Sequence, residues 1–482
     1  MIFTPRPYQE LMRQFALERD RCNLFASPGM GKTSAILDIF ESRRLMGEAK
    51  RLLVLAPKRV AQTTWPREVP KWHESFGHLS VATALGTESE RLAALRQRAD
   101  ITTINYDNIP WLVEKYGEHW PFDMVASDES TRLKGLRVSL QRKRRSDGTL
   151  GPEFLVGQGS TRSKALATVA HKHVRYWLNA TGSPAPNGLQ DLWGQQWFID
   201  KGRRLGSSFS AFAERWFRAV PGGDGYSQIE PLRYAKAEIE ALMRDCSITV
   251  DAKDWFPLEK VIEREVFIDL PPKARRVYNE MEKEWFAELE SGHEVEVFAA
   301  GSKTQKLLQI ASGTIIHDRE TKAWAEIHDE KIEALKSLKE ETNGESLLVA
   351  YYHKADLERL KKAFPKAVYI NDDPKAEDKW NEGRIPMLLV HPASAGHGLN
   401  LQHGGRILVD FASNYNLEFD EQVIERIGPT RQYQAGLNRS VFRYRLVARD
   451  TVEELAVLPR LRKKMSLQDA FKEAMKVRRQ RG

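Results

Sequence analysis

Residues 26–33 form the segment of this chain whose residue types are best suited to chemistry. They read Ala-Ser-Pro-Gly-Met-Gly-Lys-Thr, and this segment is called the phosphate loop below. The loop follows the apolar run Leu24–Ala26 and precedes Ala35–Phe40, whose pattern predicts a helix. A glycine-rich turn between a strand and a helix collects backbone N–H groups at the helix N-terminus, where the helix dipole favours an anion.

Each chemical role that such a loop performs has a candidate residue here. Gly29 and Gly31 let the backbone approach phosphates, Lys32 reaches the β and γ oxygens, and the Thr33 hydroxyl can hold Mg²⁺. Ala26 stands where the pattern usually begins with glycine. The sequence therefore predicts a site for a nucleoside triphosphate.

A carboxylate pair, Asp128 and Glu129, ends the apolar run Phe122–Ala126. At the carboxyl end of a buried strand, such a pair is placed to face the phosphate loop across the sheet edge. Asp128 would hold Mg²⁺ through its water shell, and Glu129 would orient and deprotonate an attacking water. The alternative is that the pair only caps a helix.

The elements that position these residues alternate along the chain. Up to about residue 250, short apolar runs alternate with helix-like segments, and the pattern begins again after residues 254–257. Continuous apolar runs predict strands buried on both faces, hence parallel sheets covered by helices. The predicted strands are Cys22–Ala26, Arg51–Ala56, Ile101–Asn105, Asp123–Ser127, Arg175–Ala180, Val266–Leu270, Ser346–Tyr351, Ala367–Ile370, Pro386–Val390, Arg406–Phe411 and Val441–Val447.

We therefore expect an α/β chain of two tandem lobes, residues 1–255 and 256–460, followed by a basic tail, 461–482. Residues 135–163 are rich in Gly, Ser and basic residues, which indicates an insertion in the first lobe. Residues 200–245 indicate a small helical insertion.

Composition narrows the class of protein. The chain has 482 residues, of which 41% are hydrophobic and 29% charged, as is typical of a globular protein. It has no apolar run long enough to span a membrane and no visible secretion signal, so we expect a cytoplasmic protein, in the host cytoplasm if it is viral. Two cysteines exclude a disulfide framework. A net charge of +8 favours a polyanionic partner, although basic runs such as Gln141–Arg145 can equally be solvated surface.

The carboxylate pair also carries a family resemblance. Asp128-Glu129-Ser130-Thr131, followed by Leu133-Lys134-Gly135, resembles the DEAH-type box of the Swi/Snf-type ATPases, a branch of the superfamily II helicases. Further motifs occur in that family's order over residues 5 to about 456. The matching segments are Arg6–Gln9, Leu53–Lys58 with Trp65, Thr102–Tyr106, Leu178–Pro184, Ser394–Leu401, Gln422–Arg431 and Thr451–Glu454.

The resemblance implies two RecA-like lobes, ATP and Mg²⁺ as cofactors, and a role for each motif. The implied catalytic residues are Lys32, Asp128, Glu129, Arg426 and Arg431, and the implied magnesium ligands are Thr33 and Asp128. The implied ATP-binding residues are Arg6, Gln9, Ser27, Pro28, Gly29, Met30, Gly31, Lys32, Thr33, Ser34 and Gly398. The implied DNA contacts are Pro57, Lys58, Trp65, Asn105, Tyr106, Thr181, Gly182, Ser183, Pro184, Ser394, Gly396 and Asn400.

The chain departs from the family's pattern at two positions. Ser130-Thr131 replaces the histidine that the family has after Asp-Glu, so the coupling of that motif to the nucleic-acid side is expected to differ. Pro429 stands where the second arginine of the sixth motif usually falls. Either Arg426 or Arg431 is then the arginine finger, and we predict Arg431. Trp65 either stacks on nucleic acid or packs in the core.

The function that the resemblance implies is an ATP-driven translocase or helicase on DNA, with duplex DNA favoured and single-stranded DNA possible. The absence of accessory domains favours a compact bacterial or bacteriophage form. Two alternatives stay open: an RNA-dependent ATPase of the same superfamily, and a non-motor clamp that ATP switches onto DNA.

Overall fold

The computed structural model describes residues 1–144, 150–221, 227–290, 297–316, 323–395, 398–437 and 439–463. It divides into two compact units. Unit 1 comprises residues 1–220 and 227–256, and unit 2 consists mainly of the chain from Pro257 onwards. In the part of the chain that is described, no helix is both long and apolar enough to cross a membrane.

Unit 1 is built on a seven-stranded parallel sheet with the strand order β11-β1-β8-β5-β2-β4-β3. The strands of unit 1 are β1 Arg21–Ala26, β2 Leu52–Ala56, β3 Val81–Thr83, β4 Ile101–Asn105, β5 Met124–Asp128, β6 Leu136–Arg144, β7 Leu150–Gly159, β8 Tyr176–Thr181, β9 Phe217–Pro221, β10 Ser227–Pro231 and β11 Ser247–Val250. Its helices are α1 Pro7–Leu17, α2 Lys32–Leu45, α3 Trp65–Lys71, α4 His73–Phe76, α5 Glu88–Arg96, α6 Ile109–Tyr116, α7 Thr161–Ala170, α8 Asp191–Asp200, α9 Phe209–Trp216 and α10 Ala235–Met243.

The central strands of this sheet are buried on both faces. Leu53 and Leu55 of β2 join the main hydrophobic cluster of unit 1. Leu52 and Val54 point to the opposite face, since side chains alternate along a strand, and they are also fully buried. Helices therefore cover both faces, as the continuous apolar runs predict.

Two segments of unit 1 lie outside its seven-stranded sheet. β6 and β7 form an antiparallel hairpin in the segment predicted as an insertion near 135–163. The segment near 200–245 contains α9 and α10, and it also contains the two-stranded sheet β9–β10, which the sequence did not predict.

Unit 2 is built on a six-stranded parallel sheet with the order β12-β19-β18-β15-β17-β16. Its strands are β12 Ile262–Ile268, β13 Thr314–Ile316, β14 Trp324–Glu326, β15 Leu347–Ala350, β16 Val368–Tyr369, β17 Met387–Val390, β18 Ile407–Asp410 and β19 Phe442–Ala448. Its helices are α11 Pro272–Glu290, α12 Val297–Ser312, α13 Glu330–Glu341, α14 Lys354–Ala363, α15 Ala376–Asn381, α16 Pro392–Ala395, α17 Leu417–Ile424, α18 Pro429–Gln434 and α19 Leu458–Lys463.

Both faces of the second sheet are also buried. Val349 belongs to a cluster that includes Leu335 and Leu360 of two helices, whereas its neighbours Leu348 and Ala350 belong to a cluster on the other face. The predicted α/β fold, two tandem parallel sheets each with helices on both faces, is confirmed.

Glu453 shows what part of the last motif of the family does in unit 2. Its carboxylate accepts a hydrogen bond from Lys331 Nζ at 2.7 Å and another from the backbone N–H of Ala448 at 2.8 Å. Both side chains of the ion pair are fully buried. Removing one partner would leave an uncompensated buried charge, so this motif holds α13 against the end of β19.

Candidate functional site

Three of the predicted motifs meet at the carboxyl edge of the unit 1 sheet. The phosphate loop follows β1, Asp128 ends β5, and Thr181 ends β8, which lies between those two strands. The register pairs Phe25 with Thr181 and Asp128 with Ala180, so the three strand ends lie side by side. Ligands of parallel α/β sheets bind at this edge.

The phosphate loop has the backbone conformation that its glycines predict. Gly29 and Gly31 adopt positive φ angles of 84° and 66°, and α2 begins immediately afterwards at Lys32. The N–H groups in the first turn of a helix have no partner within that helix, and they suit an anion. The Lys32 ammonium donates to the carbonyl of Ala26 at 2.8 Å, which folds its side chain back over the loop.

Gln9 braces the loop from α1. Its Nε2 donates to Gly31 O and to Ser34 Oγ, both at 3.1 Å, and its Oε1 accepts from the backbone N–H of Arg6 at 3.0 Å. A Cβ on Gly31 would lie only 2.4 Å from Gln9 Nε2. Glycine is therefore required at position 31 both by its φ angle and by the close approach of Gln9.

The other residues of the loop contact neighbouring strands. The N–H of Ser27 donates to Val250 O at 2.9 Å, which ties the loop to the end of β11. Pro28 packs against the segment after β8, where a Cβ on Gly182 would lie 2.9 Å from Pro28 Cδ. Met30 is fully buried. The loop is thus fixed from two sides.

Asp128 is a buried carboxylate. Trp65 Nε1 donates to its Oδ2 at 3.0 Å. The pKa of Asp128 is raised to about 6. Loss of hydration is the largest cause and the negative charge of Glu129 adds to it, whereas the Trp65 hydrogen bond and the Lys32 charge act in the opposite direction. A buried carboxylate of this kind suits Mg²⁺, which prefers oxygen ligands.

Glu129 has an unusual backbone conformation for its residue type. Its φ and ψ of 63° and 60° lie in the left-handed region, which costs a non-glycine residue about 1–2 kcal/mol. Thr181 Oγ1 donates to Glu129 Oε2 at 3.3 Å. The turn thereby aims the carboxylate towards the end of β8, and backbone strain of this kind clusters at functional sites.

Tyr106 supports the same turn from beneath. Its hydroxyl lies 2.8 Å from Ser127 Oγ, 2.8 Å from Asp128 O and 3.2 Å from Glu129 O. Neither this role nor that of the Trp65 indole was predicted. The signal available was general: the polar atom of a buried Tyr or Trp usually finds a hydrogen-bond partner.

The side chains of three residues predicted to contact DNA lie in the interior of unit 1, and their contact with DNA stays a prediction. Trp65, Tyr106 and Thr181 are buried, and their polar atoms contact Asp128 or Glu129 or the backbone beside them. For Trp65 the alternative of core packing holds.

The remaining DNA candidates of unit 1 differ in exposure. Lys58 is exposed, Asn105 is buried, and the half-buried residues are Pro57, Gly182, Ser183 and Pro184. These residues stay predictions.

In unit 2 the structure brings the predicted motif segments Ser394–Leu401 and Gln422–Arg431 together. Arg431 Nη1 donates to Asn400 Oδ1. Arg426 is buried, and its guanidinium donates to Gln422 O at 2.9 Å and to Leu399 O at 3.4 Å. Both arginines are thus fixed beside the segment that follows Gly398, which has a φ of 77°. The side chain of Ser394 and all of Gly396 lie outside the described residues.

Comparison with known proteins gives one close relative. Protein p41 of Acyrthosiphon pisum secondary endosymbiont phage 1 is 47% identical over 477 residues, which cover 98% of this chain and 99% of p41. No protein-family model matches the chain. The relative comes from a bacteriophage, in agreement with the compact bacterial or bacteriophage form predicted above.

Two solved structures resemble the chain more distantly. The Sulfolobus solfataricus SWI2/SNF2 ATPase core in complex with double-stranded DNA aligns with a TM-score of 0.42 and 19% identity over 96% of this chain and 91% of that chain. The corresponding core domain alone aligns with a TM-score of 0.40 and 18% identity over 97% of this chain and 90% of that chain.

The identity to p41 extends over almost the whole length of both proteins. The chain therefore belongs to the family of the phage protein p41.

Proposed function

We propose that this chain is an ATP hydrolase that DNA stimulates and that couples hydrolysis to movement along DNA. The observation that carries the proposal is the convergence of the phosphate loop, Asp128 and Glu129 at one edge of the unit 1 sheet. The buried Asp128, with its pKa of about 6, is poised to favour a bound cation.

Each residue has a separate role in this proposal. When bound, ATP supplies the phosphoryl group and Mg²⁺ screens its negative charge. The phosphate loop binds and orients the phosphates through backbone N–H groups and Lys32. Thr33 and Asp128 hold the ion, Asp128 through water, and Glu129 orients the attacking water and accepts its proton.

Unit 2 supplies positive charge in the proposed reaction. Arginine is planar, permanently charged and able to contact phosphate with two N–H groups, so it suits stabilisation of a transferring phosphoryl group. The family resemblance assigns this role to the sixth motif, and we propose Arg431 as the residue that performs it.

DNA is the proposed partner because the resemblance is to DNA-dependent ATPases and the net charge is +8. Contacts to the sugar-phosphate backbone carry no sequence information, so movement is expected to tolerate any sequence and binding to weaken with salt.

The test is an ATPase assay of the wild type and of Lys32→Ala with duplex DNA, single-stranded DNA, RNA or no nucleic acid. Wild-type hydrolysis should be slow alone and rise at least tenfold with DNA, while Lys32→Ala should be inactive. Lys50→Ala, at an exposed position outside the site, is the matched control and should match the wild type. Equal wild-type rates under all conditions would contradict the proposal, and stimulation by RNA alone would favour the RNA-dependent alternative.

The clamp alternative is separated by Glu129→Gln. A clamp needs no turnover, so this variant would hold and release DNA as the wild type does. In the proposed motor it binds ATP and DNA but loses hydrolysis, and single-molecule tracking should then show bound molecules that do not advance.

A further inference from the structure

The residue after the carboxylate pair makes a buried contact with α8. Ser130 Oγ donates to Gln195 Oε1 at 2.7 Å, and both side chains are almost fully inaccessible to solvent. Ser130 and Thr131 together replace the histidine that the resembling family has after Asp-Glu. A serine is too short to reach far, so any link from this position depends on what contacts its hydroxyl.

The other end of the Gln195 amide reaches the segment after β8. Its Nε2 donates to Pro184 O at 2.7 Å and to Asp191 O at 2.9 Å. One acceptor and two donor hydrogens are therefore all used. Gln195 joins the turn that carries Asp128 and Glu129 to the segment 181–184 in a single step.

The surroundings make this link stiff. A Cβ on Gly194 would lie 2.8 Å from Leu133 O and 2.7 Å from Lys134 O, so α8 packs directly on the backbone after the carboxylate pair. Lys134 Nζ lies 3.5 Å from Asp191 Oδ2, and Asp191 in turn accepts from the N–H of Asn187 at 2.9 Å. A displacement of the Asp128–Glu129 turn or of the segment 181–184 would thus move α8, and through α8 the other segment.

We infer that Gln195 is a positioning residue that transmits the state of the Asp128–Glu129 turn to the segment 181–184. The inference rests on the proposed function, in which that turn responds to nucleotide and the segment 181–184 lies on the nucleic-acid side. In this chain the contact between Ser130 and Gln195 performs that coupling, next to the Asp128-Glu129 pair.

The neighbouring glutamine offers a matched control. Gln196 lies on the same helix with the same 1% exposure as Gln195. It accepts from Asn23 Nδ2 at 2.9 Å and donates to Asp200 Oδ2 at 2.8 Å, so its contacts lie away from the carboxylate pair. Gln195→Met and Gln196→Met therefore remove comparable buried hydrogen bonds, but only the first cuts the link.

The first experiment is hydrogen–deuterium exchange of the full chain with Mg²⁺ and a non-hydrolysable ATP analogue. In the wild type, nucleotide should protect residues 27–33 and also residues 181–186. In Gln195→Met the protection of residues 27–33 should be kept and that of residues 181–186 should fall at least fivefold. Gln196→Met should keep both protections. Ser130→Ala, which removes only one hydroxyl, should show the same change as Gln195→Met to a smaller extent.

The second experiment is ATP hydrolysis with and without duplex DNA. Gln195→Met should lower the ratio of the two rates at least threefold more than Gln196→Met does, with the KM for ATP changed no more than in Gln196→Met. An unchanged 181–186 protection in Gln195→Met, or an equal loss in both glutamine variants, overturns the inference. If no nucleic acid stimulates the wild type, the proposed motor fails, while the exchange data alone still decide the role of Gln195.

Discussion

The indole Nε1 of Trp65 donates a hydrogen bond to Oδ2 of Asp128 across 3.0 Å in the core of unit 1. A residue predicted as a DNA contact is thus a support for a predicted magnesium ligand. Because the indole is neutral, it offsets only part of the cost of burying the carboxylate, and the pKa of Asp128 stays raised at about 6.

Asp128→Asn should stabilise the protein without nucleotide and Mg²⁺ while abolishing ATP hydrolysis. The folded-state pKa of Asp128 lies above its unfolded value, so the folded state binds more protons between about pH 4 and pH 6, and the group's contribution to the unfolding free energy falls as pH rises through that window. At pH 7.5 the substitution should raise the unfolding free energy by up to about 3 kcal/mol, since one pKa unit corresponds to about 1.4 kcal/mol.

Urea denaturation at pH 7.5 and pH 4 measures this effect, and the gain should vanish at the lower pH. Asp107→Asn is the control, because the side chain of Asp107 is largely exposed. An Asp128→Asn variant that is less stable than the wild type at pH 7.5 would show that the buried charge does not destabilise the folded state.

Tyr106→Phe should lower kcat about tenfold and the unfolding free energy by about 1 kcal/mol, because a buried hydrogen bond is lost and two carbonyls of the carboxylate turn lose a contact. Tyr176→Phe is the control: Tyr176 is buried and its hydroxyl has no hydrogen-bond partner among the described residues. Stopped-flow hydrolysis and urea denaturation measure the two quantities. The role assigned to Tyr106 is wrong if both variants behave alike.

Gly31→Ala should raise the KM for ATP at least tenfold. Alanine at a positive φ costs about 1–2 kcal/mol, and the new Cβ would also displace Gln9 from the phosphate loop. Gly47→Ala separates the two effects, since Gly47 has a φ of 73° but open space around its Cβ position. Gly47→Ala should therefore lose stability without a change in KM; a similar rise in KM in both variants would refute the role of Gln9.

Arg431→Ala should lower kcat at least a hundredfold with little change in melting temperature. Arg426→Ala should instead lower the melting temperature by several degrees, because Arg426 is buried and its guanidinium bonds to the carbonyls of Gln422 and Leu399. Hydrolysis rates and differential scanning fluorimetry distinguish the two arginines. A stable Arg426→Ala with the larger loss of kcat would make Arg426 the arginine finger.

Much of the fold follows from local sequence. Each predicted strand overlaps an observed strand. Most of these strands are buried on both faces and therefore leave a continuous apolar run that needs no knowledge of its neighbours, whereas β12 and β16 are less buried. β3 and β11 were missed for the opposite reason. β3 is three residues long, and β11, Ser247–Val250, lies at the sheet edge with only its last residue buried.

The residues of the candidate site also fall into two groups, those that local sequence predicts and those that it does not. The phosphate loop and the carboxylate pair are contiguous motifs, so their residue types and spacing identify them. Tyr106 and Gln195 act through contacts with residues distant in sequence, and no local pattern marks a buried tyrosine or glutamine as part of a site. Such residues emerge only when the strands are placed side by side.

The strand that leads into the phosphate loop has both of its neighbours far downstream, in β8 and β11. During synthesis, β1 leaves the ribosome early but presents two open edges until residue 181 and then residue 250 have emerged. Open edges recruit other chains, so truncated products that stop before β11 should be prone to aggregate and to need chaperones. Nascent chains of this protein thus complete the sheet around the strand that carries the phosphate loop only after more than half of the polypeptide has been translated.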